Sequence, residues 1–306
     1  MSRIAYFGPS GTFTEMALAR LEDDGLPQMP GDVERVAAAS PTAALAAVRS
    51  GDVDGAVVPI ESSVEGAVVP TLDALASGTR LQIVAETELD VSFAVLARPG
   101  VTELAQVETV AAYPVAGGQV REWLAANLPR SQVQWASSNA GAAEDVAKGI
   151  ADAAISTPLA GQRLGLLSLA DGVADVAGAR TRFVLVTAPC PPPARTGRDR
   201  TSVVLEPANY PGSLFAVLSE FSLRGIDLTR IESRPTRTEM GLYRFFVDCV
   251  GHLDDPLVAE ALAALHRTSR VRFLGSWPTT VGSGNAPPEP GSSADWLERI
   301  REGADL

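Results

Sequence analysis

Short apolar runs alternate with alanine-rich stretches of helical pattern over the first 187 residues. The runs read "RIAYFG", "GAVVPI", "QIVAETEL", "VSFAVLA", "TVAAY", "AAIST" and "TRFVLV". Apolar strands that alternate with helices are typical of an α/β protein. The pattern therefore predicts an α/β region over residues 1–187.

One segment of this region occurs twice in similar form. The stretch "SPTAALAAVRSGDVDGAVVPI" at 40–60 resembles "SSNAGAAEDVAKGIADAAIST" at 137–157, and Ser40 aligns with Ser138 and Gly51 with Gly149. Each copy predicts a serine-capped helix, a glycine that ends it and a buried strand. The similarity has two explanations, a duplicated lobe or chance matches between abundant alanines and glycines. Duplication predicts two lobes with a ligand cleft where their strand ends meet.

The last third of the chain has a different pattern. Residues 200–280 contain strand, helix, strand, strand, helix and strand signals, and this βαββαβ order predicts a small ferredoxin-like domain. The proline-rich stretch 188–199 predicts a linker between the two regions. A second low-complexity stretch begins at residue 281, so we expect 281–306 to form a flexible tail with a short amphipathic turn near Trp296.

Composition narrows the function. The net charge of -12 argues against nucleic acid and anionic membranes as partners, because both require a basic surface. The N-terminal stretch has no signal-peptide pattern and no apolar run is long enough for a membrane span, so we expect a cytoplasmic protein. Cys190 and Cys249 lie far apart in the sequence and are expected to be plain thiols.

Histidine is absent from most of the chain. His252 and His266 are the two histidines, so residues 1–251 contain none. We therefore do not expect a Ser-His-Asp triad, a Cys-His pair, a histidine-rich zinc site or a histidine base there. If this region is an enzyme, we expect it to work with Glu, Asp, Thr, Ser, Tyr, Lys or Arg side chains.

Three segments place polar groups after strands. "YFGPSGTFTEMALARL" (6–21) predicts a turn and a helix that begins near Thr12 or Thr14, where backbone N–H groups either bind an anion or are simply capped. "VVPIESSVEGAV" (57–68) places Glu61 directly after an apolar run, as a cleft acid or a helix cap. "YPVAGGQVREWL" (113–124) offers Gln119, whose amide can donate and accept hydrogen bonds or lie exposed.

The stretch "ARTRFVLV" supplies an arginine at the start of a buried strand. Arg182 can hold a carboxylate through two parallel hydrogen bonds, and Thr181 next to it carries a hydroxyl. Strand alternation places Thr181 and Phe183 on one face and Arg182 on the other, although all three can reach a cleft if alternation relaxes at the strand end. The alternative is an arginine whose side chain extends into solvent.

Four segments, in this order, resemble the prephenate dehydratase family: "YFGPSGTFTEMA", "PIESSVEGAV", "ARTRFVLV" and "IDLTRIESRPTRTEMGLYRFFVDCVG". The resemblance covers about residues 3–280. It implies two catalytic α/β lobes of the type II periplasmic-binding-protein kind and a C-terminal ACT domain. It also implies a cofactor-free reaction in which prephenate loses carbon dioxide and water to give phenylpyruvate.

The resemblance also implies roles for residues of the first region. Thr181 matches the family's catalytic threonine, Arg182 its carboxylate clamp and Glu61 its acidic cleft position. The substrate-binding positions that match are Thr12, Phe13, Ser62, Ser63, Gln119 and Phe183. The chain departs from the family at three places: Ser62 replaces an asparagine, Ala112 and Tyr113 replace Ser-His, and Ala177 or Gly178 replaces an asparagine.

In the second region the resemblance implies a site for phenylalanine as a feedback inhibitor. The matching positions are Asn209, Gly212, Ser213, Leu214, Glu232, Ser233, Arg234 and Pro235. ACT domains have open sheet edges and usually pair, so a homodimer or homotetramer is expected. Two alternatives remain, an arogenate dehydratase and an amino-acid sensor without catalysis, although a dead sensor is expected to lose the "TRF" stretch.

Overall fold

The computed structural model describes residues 1–26, 29, 31–279, 284–288 and 292–303. Contacts divide the chain into a first unit, Met1–Ala74 with Thr87–Val186, and a second unit, Leu75–Glu86 with Thr187–Leu306. The predicted boundary near residue 187 lies beside the observed one, whereas the assignment of Leu75–Glu86 to the second unit was not expected. Residues 281–283, 289–291 and 304–306 of the predicted tail lie outside the described residues.

The elements of the first unit, three of which (α3, β5 and β11) have residues in both units, run as follows: β1 (Ser2–Phe7), α1 (Phe13–Asp23), β2 (Val33–Ala38), α2 (Pro41–Ser50), β3 (Gly55–Ser62), β4 (Gly66–Ala67), α3 (Val69–Ala76), β5 (Gln82–Asp90), β6 (Ala94–Ala97), β7 (Thr109–Ala112), α4 (Pro114–Gln119), α5 (Arg121–Asn127), β8 (Gln132–Trp135), α6 (Asn139–Ala147), β9 (Ala153–Ser156), α7 (Pro158–Leu164), β10 (Leu167–Asp171) and β11 (Arg180–Thr187). A 3-10 turn at Leu104–Gln106 precedes β7.

The strands of the first unit form two sheets, one for each predicted lobe. The first sheet has the order β2-β1-β3-β11-β5, with β4 added on β3, and β1 runs parallel to β2 and β3. The second has the order β10-β6-β9-β7-β8, and β7 runs parallel to β8 and β9. A buried cluster that includes Phe93, Val110 and Ile155 fills the second lobe. Parallel strands alternating with helices confirm the predicted α/β class.

Both copies of the repeated segment form the predicted local structure. The Ser40 hydroxyl accepts from the Ala43 N–H at 3.1 Å, and the Ser138 hydroxyl accepts from the Gly141 N–H at 2.9 Å. Gly51 follows α2 with φ 79°, and Gly149 follows α6 with φ 75°, a conformation that glycine adopts without strain. The two lobes therefore use the same helix start and stop signals.

The second unit contains the predicted βαββαβ order. Its elements are β12 (Asp199–Glu206), α8 (Ser213–Ser222), β13 (Leu228–Pro235), β14 (Tyr243–Val250), α9 (Pro256–Thr268) and β15 (Arg270–Pro278), followed by α10 (Ser292–Arg301) in the predicted tail. The sheet order is β13-β14-β12-β15, and every pairing is antiparallel. Side chains such as Leu205, Phe221 and Leu265 form the core between the sheet and helices α8 and α9.

The segment Leu75–Glu86 packs against strands of the second unit. The Gln82 amide donates to the Cys190 carbonyl at 2.8 Å, and Glu86 forms a buried ion pair with Arg200 at 2.6 Å. The backbone of Ile83 comes so close to β15 that a Cβ on Gly275 would lie 2.2 Å from its carbonyl oxygen. A glycine is therefore required at position 275 for this approach.

The two cysteines differ in their surroundings, and this predicts different reactivity. Cys249 is buried in β14, and burial, reinforced by the charge of Asp248, raises the pKa of its thiol to about 12. We expect a disulfide reagent such as Ellman's reagent at pH 8 to modify Cys190 alone in the folded chain, because the thiolate is the reactive form. Both thiols should react in denaturant, and equal rates in the folded chain would contradict this prediction.

Candidate active site

The strand ends of the two lobes face each other within the first unit. β1 and β3 are parallel, so the residues that follow them lie at one edge of the first sheet. At the corresponding edge of the second lobe, the Thr157 hydroxyl after β9 donates to the Gly11 carbonyl at 2.7 Å. The Phe13 ring meets the Phe93 ring edge-on, with 5.7 Å between centroids. These contacts join the two lobes at the edges where the repeated segment predicts a cleft.

The turn after β1 is tied to the start of α1. The Thr12 hydroxyl accepts from the Glu15 N–H at 3.4 Å and donates to the Phe7 carbonyl at 2.8 Å. Thr12 is therefore the helix cap, and its hydroxyl proton is used within the protein. Phe13, the first residue of α1, lies at the contact between the lobes and is half-buried.

Arg182 and Glu61 form an ion pair across neighbouring strands. The Arg182 Nη2 atom donates to the Glu61 Oε2 atom at 2.8 Å, between β11 and β3. The Arg182 side chain is 6% exposed and that of Glu61 is 39% exposed. The alternative of an arginine that extends into solvent does not hold, since the carboxylate of Glu61 directs the guanidinium along the strand ends.

Ser63 fixes the start of β11 beside the end of β3. Its N–H donates to the Arg180 carbonyl at 2.8 Å, and its hydroxyl accepts from the Arg180 N–H at 2.9 Å. The neighbouring Ser62 hydroxyl accepts from the N–H groups of Val64 and Glu65, both at 3.3 Å, and so closes the turn after β3. The two serines therefore hold the backbone that carries Glu61 and Thr181.

Thr181 is the second residue of β11, at the strand end where strict alternation of faces relaxes and the side chains of Thr181 and Arg182 can both reach a ligand. Thr181 is half-buried, and within the described ranges its hydroxyl makes no hydrogen bond. The Phe183 side chain is 2% exposed and belongs to the core. The Thr181 hydroxyl therefore remains available to a ligand, whereas the Phe183 ring is part of the core.

Gln119 lies at the end of α4 in the second lobe. Its carbonyl accepts from the Asp175 N–H at 2.8 Å, and its side chain is half-buried. In the part of the chain that the structure describes, no hydrogen bond joins its amide to Thr181, Arg182 or Glu61. The structure thus brings Glu61 and Arg182 together directly and leaves Gln119 on the second lobe.

One ion pair between the lobes was not expected from the sequence. Glu15 is buried in α1, and Arg163 from α7 in the second lobe lies 2.5 Å from its Oε2 atom. Burial alone would raise the pKa of Glu15, but the Gly11 N–H at 2.7 Å and the Arg163 guanidinium outweigh it and hold the pKa below its ordinary value. Glu15 lies in the quoted "GTFTE" stretch, whereas no local pattern marks Arg163 as its partner.

Two features of the described residues bear on membrane proteins and metalloproteins. None of the helices in the described ranges is both long and apolar enough to cross a membrane. Those ranges also contain no group of three or more His, Cys, Asp or Glu side chains placed to hold a metal ion.

The fold and the site define a two-lobed α/β enzyme with an ACT domain, and comparisons with known proteins agree. The prephenate dehydratase family model matches residues 4–190, and the ACT domain model matches 208–267. The chain belongs to the prephenate dehydratase family. This confirms the predicted lyase and the predicted fold class of a periplasmic-binding-like catalytic region with a ferredoxin-like ACT domain.

Individual relatives cover almost the whole chain. It is 59% identical to the prephenate dehydratase of Mycobacterium tuberculosis H37Rv, over 99% of this chain and 95% of the relative. It is 60% identical to that of Mycolicibacterium vanbaalenii, over 99% of both. The crystal structure of the Arthrobacter aurescens prephenate dehydratase in complex with L-Phe is 39% identical with a TM-score of 0.87, over 98% of this chain and all of that one (100%).

Proposed function

We propose that this enzyme converts prephenate to phenylpyruvate in the cleft between the lobes, with Thr181, Arg182 and Glu61 as the residues that carry the reaction. The observation that supports this most strongly is the arrangement around β11. A guanidinium fixed by a carboxylate lies one residue from the Thr181 hydroxyl, which has no hydrogen-bond partner among the described residues, at the edge where strand ends meet. A small dianion bound there meets positive charge and a hydrogen-bond donor together.

The reaction needs little covalent help from the protein. As the ring carboxylate leaves as carbon dioxide, the electron pair of the broken C–C bond enters the ring. The ring becomes aromatic, and the C–O bond breaks on the opposite carbon. The departing hydroxide takes up one proton and becomes water. A hydrogen bond from the Thr181 hydroxyl to the departing oxygen stabilises the developing negative charge, and the proton is ultimately replaced from solvent.

Arg182 and Glu61 act as a pair in this proposal. A guanidinium presents its N–H donors as a planar fork that matches a carboxylate, so an arginine oriented by Glu61 is suited to hold a substrate carboxylate. The side-chain pyruvyl carboxylate is the appropriate partner, because the ring carboxylate must be free to leave.

The other predicted positions shape the cleft. Phe13 and Gln119 contribute from the two lobes, the ring as an apolar wall and the amide as a polar contact. Ser62 and Ser63 act through the backbone they hold, and Thr12 through the turn it caps. Phe183 is proposed to support Thr181 from the core, since its ring is buried.

A direct assay tests this function. Purified chain mixed with prephenate should develop the ultraviolet absorbance of phenylpyruvate, whereas an amino-acid sensor should leave prephenate unchanged. Arogenate, which carries an amine in place of the keto group, serves as the competing substrate. A larger kcat/KM for arogenate would overturn the prephenate assignment, and no turnover of either would overturn the enzyme.

We further propose that phenylalanine binds the ACT domain and inhibits the enzyme. The likeness to the Arthrobacter aurescens enzyme, solved with L-Phe, supports this effector. In the chain, the predicted positions Asn209, Gly212, Ser213 and Leu214 surround the start of α8, and Glu232, Ser233, Arg234 and Pro235 lie on β13, an edge strand of the sheet. An open edge and a helix start can bind an amino acid through its charged ends.

The backbone at Gly212 makes the inhibition testable. Gly212 has φ 88° and caps α8, so Gly212→Ala strains the helix start by about 1 kcal/mol. We expect the phenylalanine concentration for half-inhibition to rise about fivefold or more. A free-energy cost of about 1 kcal/mol in forming the phenylalanine-bound state weakens binding by about that factor. Gly100→Ala, at another glycine with positive φ and open space, is the matched control and should leave inhibition unchanged.

The open edge also supports an assembly. β13 is an edge strand, and Ile231 on it is exposed together with Tyr243 on β14. We propose pairing of two chains through this edge, as a dimer or within a tetramer. Light scattering of the purified chain measures the mass directly, and a monomer at micromolar concentration would contradict the pairing.

A further inference from the structure

Three arginine side chains converge on one cleft of the second unit. Arg244 at the start of β14 and Arg270 and Arg272 at the start of β15 line a cleft of about 450 Å³, together with Glu206 at the end of β12. We refer to the space between these four residues as the arginine cleft. None of the positions predicted for phenylalanine lines it.

The charges in the arginine cleft do not balance. Glu206 is the one carboxylate among the described residues that line it, and it lies 3.5 Å from both Arg244 and Arg270. Both distances exceed those of good charged hydrogen bonds. Three cations therefore share one weakly held anion, in a chain whose net charge is -12.

Two buried donors in the arginine cleft lack hydrogen bonds. Among the described residues, the Arg272 Nη1 and Arg244 Nε atoms are buried without a hydrogen-bond partner. Buried polar atoms in native proteins are nearly always satisfied. Arg244 Nε has a Glu206 carboxylate oxygen at 3.5 Å, so Arg272 Nη1 is the donor that most clearly needs a further partner. Burial, together with the charge of Arg270, also lowers the pKa of Arg272, which reports an environment that disfavours its cation.

A purely structural role explains part of this arrangement. Arg272 Nη2 donates to the Gly78 carbonyl at 3.0 Å, and Arg244 Nη1 donates to the Ala76 carbonyl at 3.3 Å. These bonds tie the segment Leu75–Glu86 to the sheet. They do not account for Arg270, whose side chain is 76% exposed, or for the two unsatisfied donors.

We propose that the arginine cleft binds a small organic dianion, a dicarboxylate or a phosphomonoester, as a ligand site separate from substrate and phenylalanine. Guanidinium groups bind carboxylate and phosphate oxygens through paired hydrogen bonds, and a dianion neutralises the two excess charges. The volume lies in the range of about 300 to 1,000 Å³ found for small-molecule sites. Leu242 and Pro207 provide an apolar wall for the carbon part of the ligand.

Calorimetric titration tests the site with two probes, malonate and inorganic phosphate, at constant ionic strength on the full chain. We expect saturable binding of at least one probe with one site per chain. Arg272→Gln and Arg270→Gln should each weaken it about tenfold or more, as expected for a lost charged hydrogen bond. Arg267→Gln, at an exposed arginine near the end of α9, removes the same charge outside the cleft and should leave the affinity unchanged.

Two further controls make each result decisive. Arg182→Gln should retain probe binding, because Arg182 belongs to the proposed substrate site and not to the arginine cleft. The result of this titration is therefore independent of the result of the prephenate assay. Because Arg270 is exposed, we expect Arg270→Gln to fold. If Arg272→Gln fails to fold, the affinity of Arg270→Gln for the probes decides the outcome. Heats no larger than those of potassium chloride, or equal weakening in Arg267→Gln and Arg270→Gln, would overturn the proposal.

Discussion

Thr181→Ala is expected to lower kcat for prephenate about 100- to 1,000-fold, the cost of removing one well-placed donor to a developing negative charge. Within the described ranges, the Thr181 hydroxyl has no protein hydrogen bond to lose. The substitution therefore removes an interaction with the substrate and leaves the contacts of β11 intact. Stopped assays that follow phenylpyruvate measure kcat, and circular dichroism checks the fold.

Thr181→Ser is the informative companion to this variant. Serine keeps the hydroxyl but has more rotamer freedom, since it lacks the branched methyl group. We expect it to retain activity within about tenfold of the natural chain, because the donor remains and only its orientation is less fixed. Loss of activity in both variants would indicate a packing role, and normal activity in the alanine variant would remove Thr181 from the mechanism.

The sequence predicted helices that have a capping residue and a terminating glycine, and strands that consist of an apolar run. The capped helices α2 and α6 follow from Ser40 and Ser138 with the glycines that end them, and buried strands such as β3 and β11 follow from their apolar runs. Strands β2, β8 and β10 were not predicted. Each lies at the edge of its sheet, where exposed side chains remove the apolar pattern on which the prediction depends.

The sequence names candidate site residues, which stay a prediction, but it does not show the contacts between them. The resemblance placed Glu61 and Arg182 at the site, yet the pairing between them joins positions 121 residues apart, which no local pattern reports. The same holds for Arg163 with Glu15, separated by 148 residues, and for Arg272 with Gly78, separated by 194. Such contacts depend on how elements pack, and packing is set by the whole chain.

The assignment of Leu75–Glu86 shows the same limit. Its sequence continues from α3 into an apolar strand, and this pattern predicts a continuous first region. The contacts that place it in the second unit involve Arg200, Gly275 and Cys190, all from beyond the predicted boundary near residue 187. A proline-rich linker marks where the chain leaves a unit, but it cannot show which earlier segment packs on the next one.

Arg182→Lys is expected to lower kcat/KM for prephenate about 10- to 100-fold, chiefly by raising KM. Lysine keeps the positive charge but presents a single ammonium group, which cannot bind Glu61 and a substrate carboxylate through a planar fork at once. The Glu61 carboxylate is the nearer partner and should capture the ammonium, because it already lies 2.8 Å from the guanidinium. The substrate then loses one charged hydrogen bond, which is equivalent to about 1.5 to 3 kcal/mol.

Arg180→Lys is the matched control on the same strand. Arg180 lies two residues before Arg182, but its side chain is 56% exposed and pairs with Asp90 at the surface. Exposed ion pairs contribute little, so we expect kcat and KM to change less than about twofold. A similar rise in KM for both variants would show that charge near β11 is sufficient, and that Arg182 has no specific contact with the substrate. A selective rise for Arg182→Lys would place the fork geometry, fixed by Glu61, at the centre of substrate binding.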